Sequence, residues 1–385
     1  MTSKIKNKFN IPFNKPFVNK KAIEHIKKVF DSNKLSGDGA ICKEVELQIQ
    51  KLFDIRYTLL TTSCTHALEI AMMILKLKPG DEVITPSFTF VSVANAILRA
   101  GGLPVFCDID KNTLTIDIKD FERKITNRTK AVVPVHYGGI AADMDEILRI
   151  ANKHNIVVIE DAAQGVNAKY KGKYLGTIGH MGAYSFHDTK NYVSGEGGAF
   201  LTNNEKFARQ AEVIREKGTN RSKFLRGEVD KYTWVNIGSS FVLSEVLAAV
   251  LKHQLENIDP IQKRRKIIYN SYLNGLKEPE LREKLRLPII PEYCDSNYHI
   301  FYILLHNETE RNNVLNKLKK SGIGATFHYI PLHSSPYAVK TLGIKNLKLP
   351  VTDKISRTLL RLPMYPQLRN IEINYIIDKL REIFK

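Results

Sequence analysis

Short apolar runs alternate along the chain with longer segments that carry one apolar face, and this alternation predicts most of its elements. Residues 57–60, 82–86, 103–106, 130–135, 157–161, 182–186 and 197–201 are largely apolar or small, with little of the in-and-out pattern of a half-buried strand. Such runs suit strands buried on both faces. Between them, 19–31 sets Ala22, Ile23, Ile26, Val29 and Phe30 at helical spacing with Asn19 as a possible cap. Segments 44–53, 94–98, 120–125, 144–154, 205–214 and 244–258 also read as helices. After the polar turn 61–66, Ala67, Ile70, Ala71, Ile74 and Leu75 fall on one helical face. Strands and helices alternating at these spacings predict an α/β fold with a mostly parallel sheet covered on both sides.

From about Pro260 the pattern changes. A helix over 261–276, a strand over 298–305, a helix over 310–321, a strand over 325–329 and a helix over 371–384 predict a smaller α+β unit. The expected organisation is an extended N-terminal arm over 1–18, with prolines at Pro12 and Pro16, a large unit over 19–258 and the smaller unit over 259–385. No internal repeat or low-complexity tract interrupts it.

Composition narrows the class. At 385 residues with 43% hydrophobic content, the chain can bury a sizeable core. No run is long enough to span a bilayer and the lysine-rich start lacks an apolar signal core, so a cytoplasmic protein with no membrane partner is expected. Cys42, Cys64, Cys107 and Cys294 are scattered without metal-ligand spacing, which indicates neither a disulfide framework nor a metal site. The balance of 58 basic to 40 acidic residues, +18 overall, would suit an anionic partner. The lysines are dispersed, however, and no nucleic-acid-binding motif is present. The charge therefore reads as a generally basic surface that helps attract a pyrophosphate, with no nucleic acid expected.

Two positions carry the candidate chemistry. Lys190 stands where the run Gly182-Ala183-Tyr184-Ser185-Phe186 gives way to a loop closed by Gly195-Glu196-Gly197-Gly198. Burial near a strand exit would disfavour the charged form of its amine and make it a nucleophile toward an aldehyde, although taken alone it could equally be a surface lysine in a lysine-rich chain. Asp161 ends the run Val157-Val158-Ile159-Glu160, at the carboxyl edge of a parallel strand where α/β sheets bind ligands. It could equally cap a following helix. A lysine for the aldehyde and an acid for a protonated ring nitrogen are the two protein groups that a pyridoxal phosphate site requires. The turn Thr61-Thr62-Ser63-Cys64-Thr65-His66, between a strand and a helix, would fit a phosphate or be capped by Ser63 or Thr65 alone. The long basic stretch 217–231, with Arg215, Arg221 and Arg226 nearby, reads either as a diphosphate contact or as a solvated charge run.

Asp161-Ala162-Ala163-Gln164 followed by Ser185-Phe186-His187-x-x-Lys190 resembles the nucleotide-sugar aminotransferases of the DegT/DnrJ/EryC/StrS group, a branch of the aspartate-aminotransferase fold, fold type I. Further stretches extend the resemblance over nearly the whole chain. They are Ile11-Pro12-Phe13-Asn14, Pro134-Val135-His136-Tyr137, Lys190-Asn191-Tyr192, residues 215–222, Lys231-Tyr232-Thr233-Trp234 and residues 327–333. The resemblance implies a homodimer using pyridoxal 5'-phosphate, with Lys190 and Asp161 catalytic. It also implies Thr65, the backbone at His66 and Ser185 on the cofactor phosphate, Phe90 stacked on the ring, and Gln164 on the ring oxygen. Arg221, Tyr329 and His333 would meet the substrate.

The implied reaction moves an amine from L-glutamate to C4 of TDP-4-keto-6-deoxy-D-glucose, giving the galacto product for surface polysaccharides. Amination at C3, the gluco epimer and a UDP-sugar remain open alternatives. Relatives often place an asparagine from the neighbouring subunit on the phosphate, and here that place reads Gly238-Ser239-Ser240-Phe241. Ser240 is the first substitute, with Ser239 or Asn236 as others. A dehydratase of this fold would carry histidine in place of Lys190. A DNA-binding regulator would need a reading domain for which the region before Asn19 has no room.

Overall fold

The computed structural model describes residues 9–18, 20–278 and 283–385. The expected cap Asn19 and the first eight residues of the arm lie outside the described residues. The strands in chain order are β1 Tyr57–Thr61, β2 Glu82–Pro86, β3 Leu103–Cys107, β4 Thr129–Val132, β5 Val157–Asp161, β6 Lys169–Tyr170, β7 Lys173–Tyr174, β8 Met181–Ser185, β9 Gly198–Thr202, β10 Cys294–Asp295, β11 Phe301–Leu304 and β12 Leu359–Leu362. A seven-stranded sheet runs in the order β1-β9-β8-β5-β4-β2-β3. Its pairings from β3 through β8 are parallel, and β9 runs antiparallel to both β8 and β1. The sheet is therefore mostly parallel, with β9 reversed. Every residue of β2, β8 and β9 is buried, as expected where both faces are covered.

Two apolar clusters form on the two sides of this sheet. Val45, Ile49, Phe53, Ile84, Val158 and Tyr184 belong to one, and Leu68, Ile70, Val83, Ile159 and Phe200 to the other. Successive residues Val158 and Ile159 divide between them, as the two-residue period of a strand requires. Helix Ala40–Phe53 starts earlier than the pattern suggests because a distant carboxylate caps it. Glu245 accepts from the N–H groups of Gly39 (2.9 Å), Ile41 (2.8 Å) and Cys42 (3.0 Å). Helix Ala22–Asp31 packs on helix Glu245–Glu256, where His25 pairs with Glu256 at 3.2 Å.

The smaller unit has its own cluster. Helix Ile258–Gly275 contributes Ile268, Tyr269 and Tyr272, β11 contributes Phe301 and Ile303, and helix Asn370–Phe384 contributes Ile373, Ile376 and Leu380. Ile11 of the arm joins it through a bridge to Ile323. A further cluster, in which Phe88, Ile109 and Tyr137 meet Ile300, Tyr302 and Leu359, seals the two units together.

One expected strand is absent. Residues 325–329 make only the bridge Thr326–Arg361, with hydrogen bonds of 3.2 and 2.7 Å. Strand β12 pairs instead with β11, from Phe301 opposite Leu362 to Leu304 opposite Leu359.

Candidate active site

A cavity of about 510 Å³ opens at the carboxyl ends of β5 and β8, between the two units. That volume lies in the range of small-molecule and cofactor sites. Lys190, Asp161, Gln164, Ser185, Thr65, Phe90 and Tyr329, all singled out from the sequence, line it together.

The position of Asp161 follows from how β5 ends. The preceding Glu160 points to the opposite face and is wholly buried. Its carboxylate accepts from His136 Nε2 (2.9 Å) and from the N–H groups of Gly176 (2.8 Å), Ile178 (2.7 Å) and Gly179 (2.6 Å). Because His136 Nδ1 accepts from Ala142 N–H at 3.1 Å, the imidazole proton sits on Nε2, facing Glu160. A buried carboxylate this well satisfied anchors the strand end and fixes the side of the sheet that Asp161 takes. Asp161 Oδ1 accepts from Ala163 N–H at 3.0 Å. Burial nevertheless pushes its carboxyl above the usual range, with Lys190 and His136 pulling the other way.

Lys190 is set by the loop beyond β8. Its backbone N–H donates to His187 O (2.8 Å), and Phe186 and Ser194 close the loop through bonds to Gly197 O (2.9 Å) and Phe186 O (2.8 Å). Burial pushes the Lys190 amine below the ordinary lysine range, and the charge of Arg361 adds to that, against the pull of Cys64 and Asp161. Among the described residues, no hydrogen bond or ion pair holds Nζ. The amine is thus drawn toward its neutral form and left uncommitted.

At the other end the turn before helix Cys64–Leu75 makes a seat for an anion. Ser63 caps the helix through His66 N–H at 3.2 Å, and Thr65 Oγ1 meets Ser92 Oγ at 2.7 Å. The first-turn N–H groups of Cys64 and Thr65 have no carbonyl within their own helix to pair with. Gly198 in β9 lies so close that a Cβ there would stand 2.4 Å from Cys64 N and 2.4 Å from Ser63 C. Only a glycine lets this strand support the turn. Phe90 sits at the rim with 59% of its surface exposed, free to cover one face of a flat ring. Gln164 accepts from Gly138 N–H at 2.7 Å and donates from Nε2 to Tyr329 Oη at 2.9 Å, which fixes the orientation of its amide. Burial pushes the Tyr329 phenol up to about 12, so it stays neutral. An acid held near a buried amine, an anion seat and an aromatic rim fit pyridoxal phosphate.

Four expected residues are placed elsewhere. The N–H of His66 is taken by its own cap, and its ring stacks on Phe241 at 4.5 Å. Arg221 is tied to Glu216 (3.0 Å) and Asp38 (3.5 Å). Both acids also belong to the network around the buried Arg215, which pairs with Asp38 at 2.8 Å and Glu46 at 2.7 Å. His333 is buried against Ser87 (2.7 Å) and Asp353 (3.4 Å), joining the two units there. Ser240 is exposed, paired across the chain with Glu216, and does not line this chain's cavity.

The cavity also contains Phe13, Asn14, His299, His328 and Arg361, none of which the sequence pattern singled out as site residues. Asn14 donates to Asp188 O at 3.2 Å, bringing the arm to the lysine loop. His299 Nδ1 donates to Asn191 Oδ1 at 2.8 Å, beside Lys190, and burial keeps the ring neutral. Arg361 was visible only as a charge within the apolar run Leu359-Leu360-Arg361-Leu362.

The sequence pattern of the DegT/DnrJ/EryC1/StrS aminotransferase family matches residues 16–381. The chain belongs to this family. It is 34% identical over 386 residues to the spore coat polysaccharide biosynthesis protein SpsC of Bacillus subtilis, covering 97% of each chain. Among solved structures it resembles Spr1654 of Streptococcus pneumoniae, described as a sugar aminotransferase and solved in its PLP form, with a TM-score of 0.90 and 26% identity over 98% of this chain and 99% of that one. S. venezuelae DesV, solved with a ketimine intermediate, superposes with a TM-score of 0.87 and 30% identity, covering 95% of this chain and 94% of the other. As a DegT/DnrJ/EryC1/StrS member, the chain is a pyridoxal phosphate-dependent sugar aminotransferase.

Proposed function

We propose that the enzyme transfers the amine of L-glutamate to C4 of TDP-4-keto-6-deoxy-D-glucose, giving TDP-4-amino-4,6-dideoxy-D-galactose for a surface polysaccharide. The observation that carries the transamination is the uncommitted amine of Lys190, its charged form disfavoured by burial, in one cavity with the buried Asp161. The likeness to a polysaccharide biosynthesis protein supports the destination of the product. The resemblance that runs over nearly the whole chain supports the nucleotide, the carbon aminated and the epimer.

When bound, pyridoxal phosphate supplies an aldehyde to exchange for the amine and a ring that spreads the charge left on carbon. Lys190 Nζ takes the proton from Cα of the donor and returns it within the same site. Asp161 holds a proton on the ring nitrogen, and the attraction that this requires relieves the cost of its own burial. Gln164, oriented by Gly138 and Tyr329, offers an N–H to the ring hydroxyl, and Thr65 and Ser185 hold the phosphate. Ser240 adds to that phosphate from a second copy of the chain. The exposed Trp234 and Ile237 beside it, 75% and 72% accessible, support a homodimer.

Incubation with L-glutamate and TDP-4-keto-6-deoxyglucose, followed by NMR of the product, tests the assignment. An axial amine at C4 is expected. An equatorial amine, an amine at C3 or turnover only with a UDP-sugar would each replace it.

A further inference from the structure

Just ahead of β11, the segment Asn297-Tyr298-His299 of the smaller unit reaches into the sheet unit beside the lysine loop. Asn191, the residue after Lys190, is buried between its two ends. The amide Nδ2 of Asn191 donates to Asn297 O at 2.9 Å, and its Oδ1 accepts from His299 Nδ1 at 2.8 Å. Because the amide nitrogen is committed to a carbonyl, the amide cannot turn over, and His299 must carry its proton on Nδ1. The side chain of Asn297 holds the turn that follows β5. Its Nδ2 donates to Gln164 O at 2.9 Å and to Val166 O at 2.8 Å. One three-residue segment therefore grips both loops that carry the candidate chemistry.

That segment is held in a conformation that costs stability. Tyr298 takes a φ of 54°, a left-handed value that a bulky side chain rarely adopts. Asn297 Oδ1 is buried without a hydrogen-bond partner. A Cβ on Gly139 would stand 1.9 Å from that oxygen, so the facing turn requires glycine, at a φ of 82°. Strain and an unmet acceptor persist only where the surroundings over-determine them, and they gather at functional sites. The sheet does not fix the lysine by itself, since β8 ends at Ser185 and the loop runs on from there to Lys190. Asn191 and Asn297 do not line the cavity, so any effect they have on the chemistry passes through Lys190 and Gln164, which do.

We propose that Asn191 is a positioning residue: bonded to the smaller unit on either side of Tyr298, it fixes Lys190 relative to Gln164. This rests on the aminotransferase reading of the cavity and deepens it. The lysine amine has to reach a proton on the donor's Cα, and misplacing such a group by about 1 Å costs on the order of a hundredfold in rate. Neutral bonds suit the task, because they add no charge beside an amine whose protonation matters. Asn191 carries none, and burial keeps the His299 ring neutral.

The test reads Lys190 with and without the cofactor. In the apoprotein, competitive labelling with acetic anhydride across a pH series, read by mass on the peptide that carries Lys190, gives the midpoint at which its amine becomes reactive. In the holoenzyme, single turnovers with L-glutamate and no sugar, followed by the cofactor's absorbance, give a plateau rate and a half-saturating concentration. Asn191→Ala should move the midpoint and lower the plateau rate about 100-fold, with the half-saturating concentration held. Asn297→Ala loses the bonds to Gln164 and Val166 but keeps the backbone oxygen that Asn191 uses. It should melt lower and leave the midpoint in place. A midpoint that moves equally in both variants, or in neither, overturns the proposal, as does a raised half-saturating concentration at an unchanged plateau rate. His299→Phe removes the ring donor without changing the charge and should move the midpoint, whereas His299→Asn keeps a donor at that place and should not. Should Asn191→Ala fail to fold, this pair decides alone. A wild type that converts no L-glutamate fails the underlying choice of amino donor, and the apoprotein midpoints still decide the proposal.

Discussion

At the scale of single residues the site depends on two groups whose environments oppose their usual charge. Burial draws Lys190 toward neutrality and Asp161 toward protonation. Lys190→Ala should abolish transfer and the cofactor's bound absorbance, measured by spectral titration. Asp161 separates function from stability. Its native carboxyl titrates above its unfolded value of 3.8, so the folded state holds the proton longer. Stability then falls as pH rises through that window and stays reduced above it. Asp161→Asn removes this penalty. The apoprotein of the variant should melt higher than the wild type at pH 8, with the gap closing as the pH falls to the ordinary carboxylate range. Transfer should meanwhile drop by roughly a hundredfold or more. Equal melting curves at pH 8 would mean that the buried carboxyl is not under strain.

These two residues were legible in the sequence because each ends an apolar run, where a strand must deliver its side chain to the sheet edge. Arg361 was not, since a charge inside Leu359-Leu360-Arg361-Leu362 looks locally like the solvent side of an edge strand. Only the three-dimensional neighbours Phe13, His328 and Lys190 show that this side faces a cavity. Arg221 and His333 are the opposite case, outside this chain's cavity lining. Their residue types suit an anion or a substrate, but nothing local reveals Asp38 and Glu216, or Ser87 and Asp353, as their partners.

At the scale of elements, strand and helix positions followed the pattern where burial was two-sided, and departed from it where side chains serve the cavity. The segment 325–329 illustrates the departure. His328 and Tyr329 are adjacent, yet their rings stack at 4.0 Å and both line the cavity. A pleated strand sends neighbours to opposite faces, so it cannot present both. Helix Ala40–Phe53 departs for another reason, because its cap comes from Glu245, some 200 residues away. The contact of β9 with the anion seat makes an element-level test. Gly198→Ala would set a methyl 2.4 Å from two backbone atoms, and the turn would have to move. Overpacking of this kind costs about 1–3 kcal/mol. The affinity of the apoprotein for pyridoxal phosphate, followed by fluorescence, should fall about tenfold or more. Unchanged affinity would remove Ser63–Thr65 from the phosphate site.

At the scale of the whole molecule, the cavity divides its work between two separately cored units. Thr65, Asp161, Ser185 and Lys190 come from the unit built on the seven-stranded sheet, whereas His328, Tyr329 and Arg361 come from the smaller one. The groups expected to meet the cofactor thus sit on the first, and the second closes the cavity over them with His328, Tyr329 and Arg361. Ligands that bind only the folded form stabilise it by mass action, about 2.7 kcal/mol at a hundred times Kd, and the gain concentrates where the contacts form. Hydrogen exchange should show this order. Pyridoxal phosphate alone should protect segments 61–66 and 183–197. Adding glutarate, a dicarboxylate with no amine to give, should then protect 326–330 and 359–362. The Gln164–Tyr329 bond at 2.9 Å already links the units, so some spread of protection to Tyr329 with the cofactor alone is expected. Full protection of 359–362 by the cofactor alone would show that the smaller unit answers to the cofactor and not to the donor, and the division of labour between the units would fall with it.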